Sequence, residues 1–239
     1  MSNRYAVFLI FFLGLLSGCA STGGNPADPW ESMNRKVYAV NDTVDRYALR
    51  PVAEGYKTVM PLPVRVGVSN FFANIDDVWT GLNNFLQGKP RDGASDFGRF
   101  AMNSTIGVLG LFDVASDFGL EKHDEDLGQT FGRWGVGSGP FLMLPLLGPS
   151  TVRDAAGTLP RYLFADPTKQ IDQIPWRNAV TALKVVDGRA QLIGADNALD
   201  EAALDRYGYL RDFYLKSRLS QVYDGHPPRE DDDYYEPSP

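Results

Sequence analysis

Between Pro63 and Gln87 the chain carries its most restrictive pattern. Val64, Val68, Phe71, Phe72, Ile75, Val78, Trp79, Leu82, Phe85 and Leu86 recur by threes and fours, which places all ten on one face of a helix. At 1.5 Å per residue that helix is on the order of 36 Å long. Its other face holds Ser69, Asn70, Asn74, Asp76, Asp77, Thr80, Asn83, Asn84 and Gln87, which is polar, sparsely charged and free of lysine. Two arrangements satisfy this pattern. The greasy face can pack on a water-soluble core, the reading that the segment favours by itself. Alternatively it faces lipid, and the polar face looks onto a water-filled space.

The N-terminus bears on that choice. Arg4 is followed by an apolar run from Tyr5 to Leu16, the length of a signal-peptide core and short of the roughly 20 residues that cross a bilayer as a helix. It ends in Leu16-Ser17-Gly18-Cys19, which resembles a bacterial lipobox. Residues 1–18 are therefore predicted to be a signal peptide, with lipid attached at Cys19, the single cysteine. Two or three acyl chains there give a stable membrane anchor. Ala20 in place of an aspartate resembles the pattern of outer-membrane rather than inner-membrane retention. Residues 19–27 read as a lipidated flexible tether, 28–224 as the folded domain, and 225–239 as a disordered acidic tail.

The chain carries 23 Lys and Arg against 30 Asp and Glu, a net charge of −7, and cleavage would remove only Arg4 from that balance. This excludes the basic footprint of a nucleic-acid binder and polybasic docking on anionic lipid. No stretch after the signal peptide is apolar enough for an ordinary membrane span. More than half of the 24 glycines fall between Gly81 and Gly157, so that region bends often or brings backbones close together.

Local signals mark further elements. Asp28 and Pro29 suit the start of a helix running to about Tyr47, and Pro51, Pro61 and Pro63 break the adjoining stretch into short pieces. Lys89-Pro90 opens a second helix to about Thr105. The runs Ile106–Phe112 and Phe141–Leu147 are apolar but interrupted. Leu127–Trp134 suits a short helix, and Thr151 with Asp154 a capped helix start. Asn178–Asp224 reads as mostly helical, with Leu183, Val186, Ala190, Ile193, Leu199 and Leu204 inward.

An enzyme needs a constellation that this sequence lacks. Ser138 lies in Gly137-Ser138-Gly139, but positions 136 and 140 are valine and proline, so there is no nucleophile elbow. Gly135, Gly137 and Gly139 do not match a dinucleotide fingerprint. His123-Asp124-Glu125-Asp126 is better read as an exposed charged loop than as a metal site. Asp76-Asp77 and Asp113 are explained more cheaply as a solvated face or a cap than as catalytic carboxylates. The expectation is no catalytic residue, no metal and no cofactor.

Several motifs in fixed order resemble the MlaA family, also called VacJ: Asp28-Pro29-Trp30-Glu31 through Arg35, Arg50-Pro51 through Tyr56, Asn84 to Gln87, Arg99 to Gly107, and Gly132 to Pro140 continuing to Asp154. The resemblance covers roughly Asp28 to Tyr214. It implies a mostly α fold: a single ring-like helical domain lying in the inner leaflet of the outer membrane, with a central amphipathic channel and no full transmembrane span. It also implies a function without enzymatic activity. Mislocalised phospholipids would be removed from the outer leaflet and passed to a soluble periplasmic phospholipid carrier, with outer-membrane porin trimers as neighbours. The alternatives are an outer-membrane-tethered lipid or cell-wall hydrolase, or a structural lipoprotein. On the channel reading, Asn70, Asn74, Asp77, Asn84 and Gln87 are candidate polar lining, and Leu109, Leu111, Phe112, Leu142 and Leu144 are candidate acyl-chain contacts.

Overall fold

The computed structural model describes residues 25–161, 167–202 and 204–228. The signal segment, Cys19, the first part of the tether and the tail from residue 229 lie outside the described residues, as does the Leu199 side chain. The described helices are α1 (Glu31–Val44), α2 (Arg50–Val59), α3 (Leu62–Leu86), α4 (Pro90–Thr105), the single-turn α5 (Val114–Asp117), α6 (Leu127–Arg133), α7 (Val152–Pro160), α8 (Ile174–Ala202) and α9 (Arg206–Val222). One antiparallel hairpin, β1 (Phe141–Leu144) with β2 (Gly148–Thr151), pairs Phe141 with Thr151 and Leu144 with Gly148. No described helix is long and apolar enough to cross a membrane. At 25 residues α3 has the length, but its asparagines and aspartates deny it the character.

Contacts between elements run in a closed circuit: α1 continues into α2, α2 packs on α8, α8 on α3, α3 on α6, α6 on α9, α9 on β2, and β1 back on α1. The fold is thus mostly helical and returns on itself. Among the described residues the buried apolar clusters are two small patches, one of Ala53, Ala190 and Ile193 at the α2–α8 contact and one of Phe141, Met143 and Tyr207.

Along α3 the ordinary amphipathic rule is reversed. Asn74, Asp77, Thr80, Asn83 and Asn84 are buried, whereas Val64, Leu82, Phe85 and Leu86 are exposed. Phe72 is buried, and Val68, Phe71, Ile75, Val78 and Trp79 are half-buried. Packing of the greasy face on a soluble core is therefore not what the C-terminal half of α3 shows. The polar face meets α4, whose buried residues are Gly93, Asp96, Arg99 and Asn103. The two helices cross at Gly81 and Gly93. A Cβ on Gly81 would sit 2.9 Å from the Phe97 ring, and one on Gly93 would sit 2.9 Å from the Gly81 carbonyl oxygen. Only glycine permits that approach.

Several local expectations need correction. Pro51 does not end the first helix. Asp45–Leu49 forms a π-turn in which the Arg50 N–H reaches the Asp45 carbonyl, and the helical path runs on through the proline. The wider turn re-registers the ladder where proline lacks its N–H. Asp28 caps no helix, since Trp30 takes the N-cap position. Asp28 is instead a buried acceptor for Asn34 Nδ2 at 2.8 Å and the Tyr207 hydroxyl at 2.5 Å. The Phe141–Leu147 run is half of a hairpin, with Pro145 in its turn, where no ladder N–H is needed. Leu204 is fully exposed in the turn between α8 and α9 rather than inward.

The hairpin's open edge is covered by α1. Asn34 donates to the Phe141 carbonyl at 3.1 Å and accepts from the Met143 N–H at 2.9 Å. Asn41, two turns on and on the same face, does the same for Leu144 and Leu146. Phe141 N–H is taken by the Ala27 carbonyl at 2.8 Å, which ties the end of the predicted tether to the fold. Side-chain amides thus satisfy a strand edge that would otherwise be open to pairing.

Candidate functional site

A hollow opens where α2, α3 and α8 converge. It consists of two adjoining cavities of about 460 Å³ and 340 Å³ that share Ser69, Asn70, Asp187 and Gln191. Its back wall is set by Asp187, a buried carboxylate on α8. Asp187 accepts from the Tyr56 hydroxyl at 3.0 Å, the Ser69 hydroxyl at 2.8 Å and Gln191 Nε2 at 2.9 Å, and Gln191 also donates to Ser69 at 3.0 Å. These bonds pin α2, α3 and α8 to one another without a cation. Burial, reinforced by Asp187, pushes the Tyr56 hydroxyl up to about 12, so it remains a donor.

Cations flank this wall on both sides. Lys57 and Arg65 line the larger cavity, and Lys122 and Lys184 the smaller. Asp76, also in the smaller cavity, is already engaged: Lys184 Nζ lies 3.2 Å from it and Arg161 bonds it directly. The apolar loop 106–112 joins the hollow through Asn70, whose Nδ2 donates to the Leu111 carbonyl at 3.2 Å. Val108 and Leu109 hold left-handed φ of 53° and 59°, ahead of Gly110 at 87°. Non-glycine residues adopt that region at a cost. Here it turns Val108, Leu109, Leu111 and Phe112 outward, all exposed.

Of the five polar candidates, Asn70 lines both cavities. The structure places the other four in seams between helices. Asn74 donates to the Ser104 hydroxyl at 2.9 Å and Asn84 to Asp96 at 2.7 Å. Gln87 donates to Glu125 at 2.7 Å and Thr130 at 3.2 Å. Asp77 faces Arg99, with Nε 3.6 Å from Oδ2 and both side chains buried. That contact is an ion pair without a hydrogen bond; the guanidinium, the hub of the seam, donates instead to both Asp113 oxygens at 2.9 and 3.0 Å, to Ser116 and to the Leu120 carbonyl. Burial raises Asp77 to about 6, against the pull of Lys122 and Arg99. Asp113 goes the other way. Its partial burial is outweighed by hydrogen bonds from Ser116, Asn103 and Arg99, which hold it at about 2.

Of the apolar candidates, Leu109, Leu111 and Phe112 lie in the exposed loop beside Asn70, whereas Leu142 and buried Leu144 belong to β1, which packs on α1. The structure therefore brings Asn70 and Leu111 together and separates them from Leu142 and Leu144. The sequence reading missed Tyr56, Asp187 and Gln191 and placed Ser69 on the polar face of α3 without choosing it as lining. The one local signal was the Asp187–Gln191 pair, four residues apart on a helix.

The carboxylates considered for catalysis are spoken for. Asp76 and Asp77 point to different partners, Asp113 caps α5, and Asp96 holds His123 Nδ1 at 2.8 Å. Among the described residues no three His, Cys, Asp or Glu side chains are grouped to hold a metal ion.

Fold and hollow together define a helical shell whose α3–α4 seam is turned inside out, with charged and amide side chains inside it and Leu82, Phe85 and Phe97 exposed. The chain belongs to the MlaA lipoprotein family, whose model matches residues 26–221. It is 35% identical over 211 residues to the intermembrane phospholipid transport system lipoprotein MlaA of Escherichia coli (strain K12), spanning 84% of this chain and 82% of that one. To the protein of the same name in Haemophilus influenzae it is 28% identical, over 88% of this chain and 87% of the relative. A solved structure described as the structural basis for maintenance of bacterial outer membrane lipid asymmetry covers 82% of this chain and 98% of its own, at 33% identity and a TM-score of 0.69.

Proposed function

We propose that this chain is a passive conduit for intermembrane phospholipid transport, anchored by lipid on Cys19 to the periplasmic face of the outer membrane. In this reading it removes mislocalised phospholipid from the outer leaflet and delivers it to a soluble periplasmic carrier. It works beside porin trimers and performs no chemistry on the lipid. The observation that carries the reading is the inversion in the C-terminal half of α3: Leu82, Phe85 and Leu86 are exposed while Asn74, Asp77, Thr80, Asn83 and Asn84 are buried. A fold stabilised by water would hide the former, since apolar burial is its main driving force. A headgroup crossing hydrocarbon unaided faces a barrier of several kcal/mol or more. A polar hollow bounded by Ser69, Asn70 and Gln191, beside the exposed apolar loop 106–112, offers the headgroup and the acyl chains separate surfaces. That lowers the barrier without an energy source and leaves direction to the carrier.

Transfer from vesicles bearing the lipidated protein to the soluble carrier tests this reading. The conduit delivers intact phospholipid. Lysophospholipid, free fatty acid or cut glycan would instead point to a tethered hydrolase, and no transfer and no product to a structural lipoprotein.

A further inference from the structure

We infer that the hollow between α2, α3 and α8 discriminates among headgroups, taking the phosphate of a net-anionic glycerophospholipid in preference to a zwitterionic one; this rests on the conduit reading above.

The inference comes from the pairing of charges. Elsewhere in the fold Arg35, Arg99, Arg153, Arg189, Arg211 and Arg218 each have a carboxylate within ion-pair distance, whereas Lys36, Arg91, Arg177 and Lys216, scattered and facing no shared cavity, have none among the described residues. At the hollow three such cations line adjoining cavities. Lys57 and Lys122 have no ion-pair partner among the described residues, and Arg65 spends only its Nε, on the Met60 carbonyl at 3.2 Å. They do so in a chain whose net charge is −7, where carboxylates are the commoner charge. Lys122 still exerts its field inward, on buried Asp77. A cavity edged by unneutralised cations concentrates anions.

The carboxylates at the hollow are occupied. Asp76 serves Lys184 and Arg161, and Asp187 accepts three hydrogen bonds from neutral donors and is buried. A phosphate entering the hollow finds lysine and guanidinium donors with no competing acid, which is the charge-assisted contact that binds phosphate well. The rest of the headgroup decides the preference. An ethanolamine ammonium would bring a further positive charge to the same edge and find no free carboxylate to receive it. A glycerol headgroup brings only hydroxyls, which Asn70 and Gln191 have the donor and acceptor chemistry to bond. Specificity of this kind comes from the repulsive element as much as from the attractive one.

The test uses full-length lipidated protein in vesicles holding equal amounts of fluorescent phosphatidylglycerol and phosphatidylethanolamine, with the soluble carrier as acceptor. A photoreactive group at position 70 records which lipid occupies the hollow. The expected result is anionic lipid favoured on the order of tenfold in initial rate and in crosslinked product, the size given by one charge pair of moderate strength. Lys57→Gln combined with Lys122→Gln should bring both ratios down to about twofold or less, since two of the three unpaired cations are gone. Lys216→Gln, an exposed change on α9, should leave them unaltered. Equal transfer and equal crosslinking of the two lipids would overturn the headgroup preference while the conduit stands. If neither lipid is transferred, the conduit reading fails, and the crosslinking ratio alone decides the preference. Millimolar inorganic phosphate or glycerol 3-phosphate is added in a parallel arm. Suppression of crosslinking by these free anions would mean a site for soluble phosphate and overturn the lipid assignment; persistence of the ratio supports it.

Discussion

Two regions of the molecule are held together in opposite ways. In the hairpin region, Phe141, Met143 and Tyr207 are buried, and Phe141 meets Tyr207 edge-on at 6.2 Å and 82°. Asn34 and Asn41 satisfy the strand edge there, and the Tyr207 hydroxyl donates to buried Asp28. In the α3–α4 seam the interior is Asn84 on Asp96, Asn74 on Ser104, and Arg99 between Asp77 and Asp113, while Leu82, Phe85 and Phe97 face outward. The first region obeys the rules of a protein in water. The second obeys those of a protein in lipid, where apolar burial supplies no driving force between helices and close packing with polar contacts must do the work. Gly81 and Gly93 supply the close packing, and the arginine hub supplies the polar contacts.

The contrast can be broken at its strongest point. Arg99→Ala leaves Asp77 and Asp113 in the seam without their cation, and removing one partner of a buried pair costs about 3–5 kcal/mol. Denaturant unfolding in detergent micelles should show a loss of that size; a loss under about 1 kcal/mol would mean the seam is not held by its charges. Phe141→Ala should cost about 3 kcal/mol through the cavity it leaves. The hairpin loss should be larger in water than in lipid, whereas the seam loss should not.

A gentler probe is pH. Asp77 in the fold titrates near 6, above its ordinary 3.8, so the folded state binds the extra proton between those values. Its contribution favours the folded protein below about 4 and is lost as pH rises through 6. Asp113, held near 2, acts in the opposite sense, contributing above about 4 and losing that contribution as pH falls through 2. Asp77→Asn should therefore remove the fall in stability between pH 4 and 6 and leave the acid limb below pH 4 in place. The pH dependence of the unfolding midpoint reads both. The smallest expected effect is that of Leu82→Ser on the outer face of α3, within about 0.5 kcal/mol in detergent. The same change should weaken retention on vesicles from which the lipid anchor has been omitted.

Much of this architecture was legible in the sequence. The bounds of α3 and α4 came within a residue of Pro63–Gln87 and of the Pro90 start, because prolines at the entries and Gly88 between them are strong local punctuation. The polarity of α3 was not legible, since a 3.6-residue period marks two faces and does not say which one is inside. The choice is made by what packs against the helix, and only the position of Arg99 and Asp96 on α4 reveals it. Pro51 misled because a π-turn absorbed it, and Asp28 because its partner Tyr207 lies 179 residues away. The hollow suffered the same fate. Asn70 was recognisable as part of a polar stripe, but Tyr56, Ser69 and Asp187 belong to three helices, with 131 residues between the tyrosine and the aspartate.

The central claim is that α3 presents its greasy face to lipid and its polar face to the inside. Single nitroxide labels at Val64, Leu82 and Phe85 on one face, and at Ser69 and Asn70 on the other, in protein reconstituted into bilayers, address it directly. Relaxation by molecular oxygen, which partitions into hydrocarbon, should be strong at 64, 82 and 85, and relaxation by a water-soluble nickel chelate should be strong at 69 and 70. Chelate relaxation at 82 and 85 equal to that at 70 would contradict the account, because the outer face of the helix would then be standing in water.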